Sequence, residues 1–427
     1  MRMEKTKTER EAVPTEIQLT ALDPAFQADP YPILAKLREL EPVHHDTTLN
    51  RYVLTCHEDV DELLFDRSLS VDPRKAKPGS FESMFGFADA GREPSMLFAD
   101  PPYHTRLRGL VSKAFTAKAV EQMRPRIQEI VDELLDAIDS RGEVDLIEAF
   151  AGPLPTIVIA EMLGVDPADR ADFKRWSDLG VMNFNPMLTS EERELVDEAG
   201  EAMDGYLRRV IEERRERPRG DLITSLIAAE EGGDKLTDDE IVTMCSLLLA
   251  AGNLTTTDLI GNGMLTLLRN PGELKKLQDD PALIKNAVEE MLRFESPVLM
   301  SGRTPLEDRK IAGMEVSAGE SVTPILAAAN RDPAVYPEPD RFDITRESSD
   351  HLSFGGGVHY CLGAPLARAE AQIAVQTLVR RFPEMRLAES PLEWRRVPGF
   401  RGLKRLPVLM RQGQHILDGG EAGERGS

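Results

Sequence analysis

His351-Leu-Ser-Phe354-Gly-Gly-Gly357-Val-His359-Tyr-Cys361-Leu-Gly363 is the stretch on which the reading of this chain turns. Three successive glycines allow backbone to come very close to a ligand. The spacing predicts a helix from Cys361 to about Arg381, and a cysteine at a helix start faces exposed N–H groups and the positive dipole end, which favour a thiolate. No second Cys or His stands at zinc-finger spacing, so zinc is a poor fit and a single axial ligand to haem iron is a better one. A glycine loop before a helix that begins with a buried cysteine explains the same residues. By themselves they weigh the two readings evenly.

Outward from this loop, helical patterns follow one another with short turns. Asp238–Arg269 reads as one helix of 32 residues, on the order of 48 Å long. A compact chain of this length has a radius of gyration of about 22 Å, so this helix must cross the molecule. Further helices are expected at Pro30–Leu40, His57–Phe65, Lys118–Asp139 and Ala282–Phe294, with short strands at Val43–Asp46, Tyr52–Cys56, Val298–Thr304, Lys310–Glu315 and Ser321–Ile325. Ser68–Ala99 is a long irregular stretch, and loops of that length inside compact domains are usually functional. The expectation is a mainly α protein with small β-sheets: one large domain over residues 18–412, flanked by disordered ends at 1–17 and 413–427.

Composition narrows the function. The chain has 427 residues, 41% of them hydrophobic and 5% aromatic, and 52 Lys+Arg against 74 Asp+Glu give a net charge of −22. Such an acidic chain is repelled by phosphate backbones and anionic lipid, which argues against nucleic-acid and membrane partners. Length alone suggests about three domains; the crossing helix revises this to one. Cys56, Cys245 and Cys361 are too few for a disulfide framework, and the polar Met1–Leu19 stretch lacks a signal-peptide core, so a cytoplasmic location is expected.

Phe354-x-x-Gly357-x-His359-x-Cys361-x-Gly363 resembles the haem-binding signature of the cytochrome P450 family. Three further motifs stand before it in the family's order: Ala251-Gly252-x-x-Thr255-Thr256, Glu290-x-x-Arg293, and Pro339-Asp-Arg341-Phe342. The resemblance covers residues 20–410. It implies the cytochrome P450 fold, haem b (iron protoporphyrin IX) with Cys361 as the iron ligand, and insertion of one atom of O2 into a medium-sized hydrophobic substrate. By similarity His104, Arg108, Arg303 and His359 bind the haem propionates, Phe354, Gly357, Gly363 and Ala251 border the cofactor, and Arg341 joins Glu290 and Arg293 in a structural brace. His104 and Arg108 lie at i, i+4, so both can face one anion.

Thr255 matches the family residue that delivers protons to the oxygen side, and the small Ala250, Ala251 and Gly252 leave room beside it. One position departs from the pattern. Leu254 stands where the family usually has an acid; Asp258, one turn after Thr255, is the expected substitute, with water or a substrate hydroxyl as the other route. No Gly-x-Gly-x-x-Gly turn or flavin segment occurs, so electrons are expected from a ferredoxin or flavodoxin with an NAD(P)H reductase, docking on Arg106, Arg108, Lys113 and Arg368. Segments matching the family's pocket contribute Phe85, Phe87, Met96, Leu97, Phe98, Met182, Phe184, Met187, Val298, Met300 and Phe400. Two other functions remain open: a peroxide-using haem-thiolate enzyme, prompted by Leu254, and a non-catalytic haem or ligand-binding protein.

Overall fold

The computed structural model describes residues 13–14, 16–85, 93–139, 141–185, 188–231, 233–347 and 350–410. Strands β1 (Val43–Asp46) and β2 (Arg51–Leu54) form an antiparallel hairpin that pairs Val43 with Leu54. Helix α1 (His57–Phe65) follows, then the long loop, α2 (Tyr103–Ala114), α3 (Ala117–Asp136), α4 (Pro153–Leu163), α5 (Arg170–Gly180), α6 (Ser190–Glu216) and α7 (Asp238–Arg269). After α8 (Ile284–Phe294) come hairpin strands β3 (Arg309–Ile311) and β4 (Met314–Val316), then β5 (Ser321–Pro324). The cysteine loop leads into α9 (Ala364–Arg381), and β6 (Glu393–Trp394) with β7 (Leu403–Arg405) forms a late hairpin. Strand β5 lies parallel to β2, Ser321 opposite Arg51.

Helix α7 organises the core. A capping box begins it: Thr237 Oγ1 accepts from the N–H of Glu240 at 3.2 Å, and a Glu240 carboxylate oxygen accepts from the N–H of Thr237 at 2.8 Å. Reciprocal capping satisfies two N–H groups that a helix start otherwise leaves open. The helix packs against α4, α5, α6, α8 and α9. Ile241, Cys245, Leu249, Ile260, Met264 and Leu267 are buried in the largest apolar cluster, and each such aliphatic side chain contributes roughly 1.5–3 kcal/mol on burial. Among the described residues no helix is long and apolar enough to cross a membrane.

Three expected elements come out differently. Val298–Thr304 is mostly not a strand, because its pairing is split: Val298 bridges Phe400, Arg303 bridges Val322, and the short strand Thr304–Pro305 pairs with Leu69–Ser70. Lys310–Glu315 is the middle of the β3–β4 hairpin; Ala312 and Gly313 take positive φ at 46° and 82° and turn the chain. Helix α9 starts at Ala364 rather than Cys361, with a proline in its first turn and the cysteine three residues upstream. The long loop is partly ordered by 3-10 turns at Pro73–Lys75, Glu82–Met84 and Met96–Phe98.

Candidate active site

Cys361 is held by its own loop. Its backbone N–H donates to the carbonyl of Phe354 at 3.0 Å, closing a ring that contains the three glycines. Gly355 and Gly357 adopt φ of +68° and +61°, a region L side chains avoid. A Cβ on Gly357 would also fall 2.6 Å from the carbonyl oxygen of Leu64 at the end of α1. Phe354 anchors the loop beneath the Arg368 guanidinium, 4.4 Å from the ring centroid. Burial pushes the Cys361 thiol up, while the N–H groups of Gly363 and Ala364 and the charges of Arg108 and Arg368 favour the thiolate. Cys361 lies three residues before α9 rather than opening it, and burial outweighs the groups that favour the thiolate.

Cations and imidazoles gather beside this loop. The rings of His104 and His359 lie 4.2 Å apart. His104 is 2% exposed, and its Nδ1 is buried with no hydrogen-bond partner. Burial, with His104 and Arg303 close by, drives His359 down to about 3. Burial likewise lowers Arg303 to about 10, against the pull of Glu82 and Asp100. Arg108 donates from Nη2 to the carbonyl of Tyr360 at 2.8 Å and is also lowered by burial. Positive charge and unprotonated imidazoles thus converge on one interior region, an arrangement suited to a ligand with carboxylates. A thiol beside this cluster of cations and imidazoles fits haem b: Cys361 would take the iron, and His104, Arg108, Arg303 and His359 the propionates.

Helix α7 carries Thr255. Thr243, Leu247, Ala251 and Thr255 recur at i+4 and are half-buried, as are Ser246, Leu248, Ala250 and Gly252 beside them. A partly open stripe inside a core lines an internal space. Thr255 Oγ1 donates to the carbonyl of Ala251 at 2.7 Å, the back-bond typical of a mid-helix threonine. A cleft of about 840 Å³, lined by Met96, Tyr103, Leu107, Val242, Thr243 and Met244 among others, opens over the start of this stripe.

Asp258 has a different setting from the one expected of it. It is 0% exposed and its carboxylate lies against Arg395 Nη2 and the backbone of Gly402, on the β6–β7 side of the helix. Its charge faces the partly exposed Arg395 guanidinium, so it is not the free acid that the loss at position 254 required. Leu254 itself is buried.

One further expectation is corrected. The buried brace is Glu290 and Arg293, joined by Nε–Oε2 and Nη2–Oε1 contacts of 2.7 and 2.8 Å, but Arg341 does not enter it. The Arg341 side chain is half-exposed and pairs with Glu338 and Asp343; only its backbone carbonyl accepts from Arg293. Arg346 reaches Glu290 instead, at 3.3 Å. The two arginines are five positions apart, and the turn through Asp343 brings the second one inward. The basic residues expected to dock an electron donor are also engaged within the chain. Arg106 pairs with Asp234 and Glu240, Arg368 with Glu289, and Lys113 donates to the carbonyl of Glu230.

The expected substrate-facing residues partly assemble. Phe184 and Phe400 lie 5.2 Å apart, Val298 bridges Phe400, and Met300 packs beside Gly399. Met96 is buried, Leu97 is exposed, and Phe85 stacks edge-on against Phe81. Phe87 and Met187 lie outside the described residues. Asp258 with Arg395, Arg346 on the brace, and Glu82 beside Arg303 were not foreseen as partners; only the charged types themselves were visible in the sequence.

This geometry is that of a haem-thiolate enzyme, and comparison with known proteins agrees. The family model for cytochrome P450 matches residues 171–389. Cytochrome P450 107B1 of Saccharopolyspora erythraea is 45% identical over 407 residues, covering 91% of this chain and 97% of that protein. The vitamin D(3) 25-hydroxylase of Pseudonocardia autotrophica is 42% identical, covering 90% and 94%. The crystal structure of myxobacterial CYP267B1 with myristic acid superposes with a TM-score of 0.84 at 43% identity, covering 91% of this chain and 98% of that one. The chain belongs to the cytochrome P450 family, a family of oxidoreductases that bind haem b through a cysteine thiolate.

Proposed function

We propose that this protein is a monooxygenase that places one oxygen atom from O2 in a medium-sized hydrophobic substrate and releases the other as water, using two electrons from a separate ferredoxin or flavodoxin and its reductase. The observation that carries this reading is the Cys361 loop beside a cluster of two guanidiniums, Arg108 and Arg303, and two imidazoles, His104 and His359. When bound, haem supplies oxygen activation, and a thiolate ligand favours O–O cleavage. The chain's own residues do the rest. Cys361 would hold the iron, His104, Arg108, Arg303 and His359 would orient the propionates, and the small Ala251 and Gly252 would leave space for oxygen. Phe184, Val298, Met300 and Phe400 present an apolar wall that excludes water and positions a nonpolar substrate. The adaptable methionines suit guests of varied shape.

The absorption spectrum of the reduced, carbon monoxide-bound protein tests the reading. A strongly red-shifted Soret band is expected, and its absence from freshly prepared protein would overturn it. Product formed only when both redox proteins are supplied would identify the electron route.

Proton delivery is the unusual step. Thr255 carries a hydroxyl on the oxygen side, but Leu254 brings no acid and Asp258 is committed to Arg395, so ordered water or a substrate hydroxyl must feed Thr255. Positioned acids and bases contribute about 10²–10⁴-fold to such transfers. Leu254→Glu is therefore expected to raise the fraction of electrons ending in product, with turnover increasing roughly tenfold and substrate affinity unchanged. Unchanged coupling would show that the missing acid is not limiting. The same two residues favour a second reading, in which peroxide is the oxidant and brings its own protons. Product formed with peroxide alone, faster than with O2 and redox proteins, would select it.

A further inference from the structure

The residue before Arg303 is a glycine for a reason outside its own segment. A Cβ built on Gly302 would sit 2.3 Å from the carboxyl carbon and both carboxyl oxygens of Glu82, so the carboxyl group of the long loop lies against the Gly302 backbone. The loop is pinned there: the N–H of Glu82 donates to Ser321 Oγ on β5 at 2.8 Å. Two guanidiniums face this carboxyl without a close ion pair among the described contacts, Arg51 from β2 and Arg303 itself. Arg51 is committed to Asp46 at 3.4 Å and lies over the Phe81 ring, with its Nη2 buried and unpartnered. Arg303 spends only Nη1 on its own segment, donating to Ser301 Oγ and to the carbonyl of Gly302 at 2.9 and 2.7 Å. Asp100 is the other carboxylate whose charge reaches Arg303.

We propose that Glu82 is a positioning residue for the cofactor: through Arg303 it sets how far the propionate charge is neutralised, and so links electron uptake by the haem to proton uptake at its own carboxyl. The inference rests on the haem-thiolate reading of Cys361 and adds a control to that site. Ionised Glu82 competes with the propionate for Arg303 and leaves more negative charge uncompensated at the cofactor, which favours the ferric state. Protonated Glu82 leaves Arg303 to the propionate and favours the ferrous state. Reduction adds one electron, supplied by the redox partner, and the extra negative charge at the haem draws one proton from solvent onto Glu82. The setting suits a group that titrates in this range, because burial, only partly offset by Arg51 and Arg303, pushes the Glu82 carboxyl up to about 7. The sign follows: the ferrous state binds the proton more tightly, so the potential must fall as pH rises through neutrality.

Redox titration of the purified holoprotein between pH 5.5 and 9 tests the proposal. The wild-type potential is expected to become more positive as pH falls through neutrality. Glu82→Gln should sit near the wild-type acid limit and lose this dependence. Gly302→Ala, whose new methyl displaces the carboxyl, should shift the midpoint of the dependence without abolishing it. A flat wild-type profile, or the wild-type slope retained in Glu82→Gln, would overturn the proposal. If Glu82→Gln takes up no haem, Glu82→Asp decides: it keeps a carboxyl, so the dependence must persist with a displaced midpoint, and a flat profile would count against it. Failure of the Cys361 reading shows separately, as the absence of the red-shifted carbon monoxide band, which does not depend on Glu82.

Discussion

Cys361→Ser protein, loaded with haem, is expected to give a reduced carbon monoxide spectrum without the red-shifted Soret band and to lose oxygenation of any substrate by at least about 10³-fold, which corresponds to about 4 kcal/mol of barrier. The reason is local. The carbonyl of Phe354 and the N–H groups of Gly363 and Ala364 fix where the side-chain atom of residue 361 points, so serine places oxygen where sulfur was. A hydroxyl does not ionise under these conditions and is a harder, weaker donor to iron than a thiolate. The cradle of His104, Arg108, Arg303 and His359 is untouched, so haem is still expected to bind. Retained red-shifted absorption in this variant would mean that another residue ligates the iron, and the assignment of Cys361 would fall.

Arg293→Ala is the substitution expected to damage the fold most. Arg293 is 0% exposed, holds Glu290 in a bidentate pair, and donates to the carbonyls of Asn330, Pro339 and Arg341. Removing one partner of a buried pair leaves the other charge uncompensated and costs about 3–5 kcal/mol. Whole proteins are stable by only roughly 5–15 kcal/mol. Thermal melts and the haem-to-protein ratio should both drop sharply, and lysine should not rescue, because an ammonium cannot reproduce the planar fork. The two neighbouring arginines separate the brace as observed from the one the family motif suggested. Arg346→Ala should destabilise measurably, since it removes a second cation from buried Glu290. Arg341→Ala should stay within about 0.5 kcal/mol, as exposed substitutions usually do. The opposite order would restore Arg341 to the brace.

Much of this could be read from the chain alone where the signal is local. The Asp238–Arg269 helix was bounded correctly because its signals are adjacent in sequence: Thr237 and Glu240 three apart, an apolar run on every face, then Asn270 and Pro271. The Val43–Asp46 strand and the His57–Phe65 helix were equally legible. The cysteine loop was legible because glycines, a ring and a thiol at fixed spacing serve one short piece of backbone. The errors share the opposite character. Val298–Thr304 has strand-like composition, but what it pairs with lies elsewhere in the chain, and Phe400 and Val322 divide it. Arg341 and Arg346 are both arginines after a proline-rich turn, and only the path of the chain through Asp343 decides which one reaches Glu290. Asp258 stands one turn from Thr255, yet the arrival of Arg395, 137 positions later, turns a candidate proton donor into a counter-ion.

By itself, then, the sequence determined which residues could do chemistry: a thiol in a glycine loop, a threonine among small residues, basic and imidazole groups for an anion, and no acid at position 254. The tertiary structure decided which of them are free to do it. Hydrogen bonds and helix periodicity act over three or four residues and leave their mark in local spacing, whereas charges and packing act through space, between residues that folding alone brings together. For that reason Arg106 and Arg368, exposed candidates by composition, are spent on ion pairs, and Glu82, one acid among 74 Asp and Glu, comes to lie against Gly302 beside Arg303.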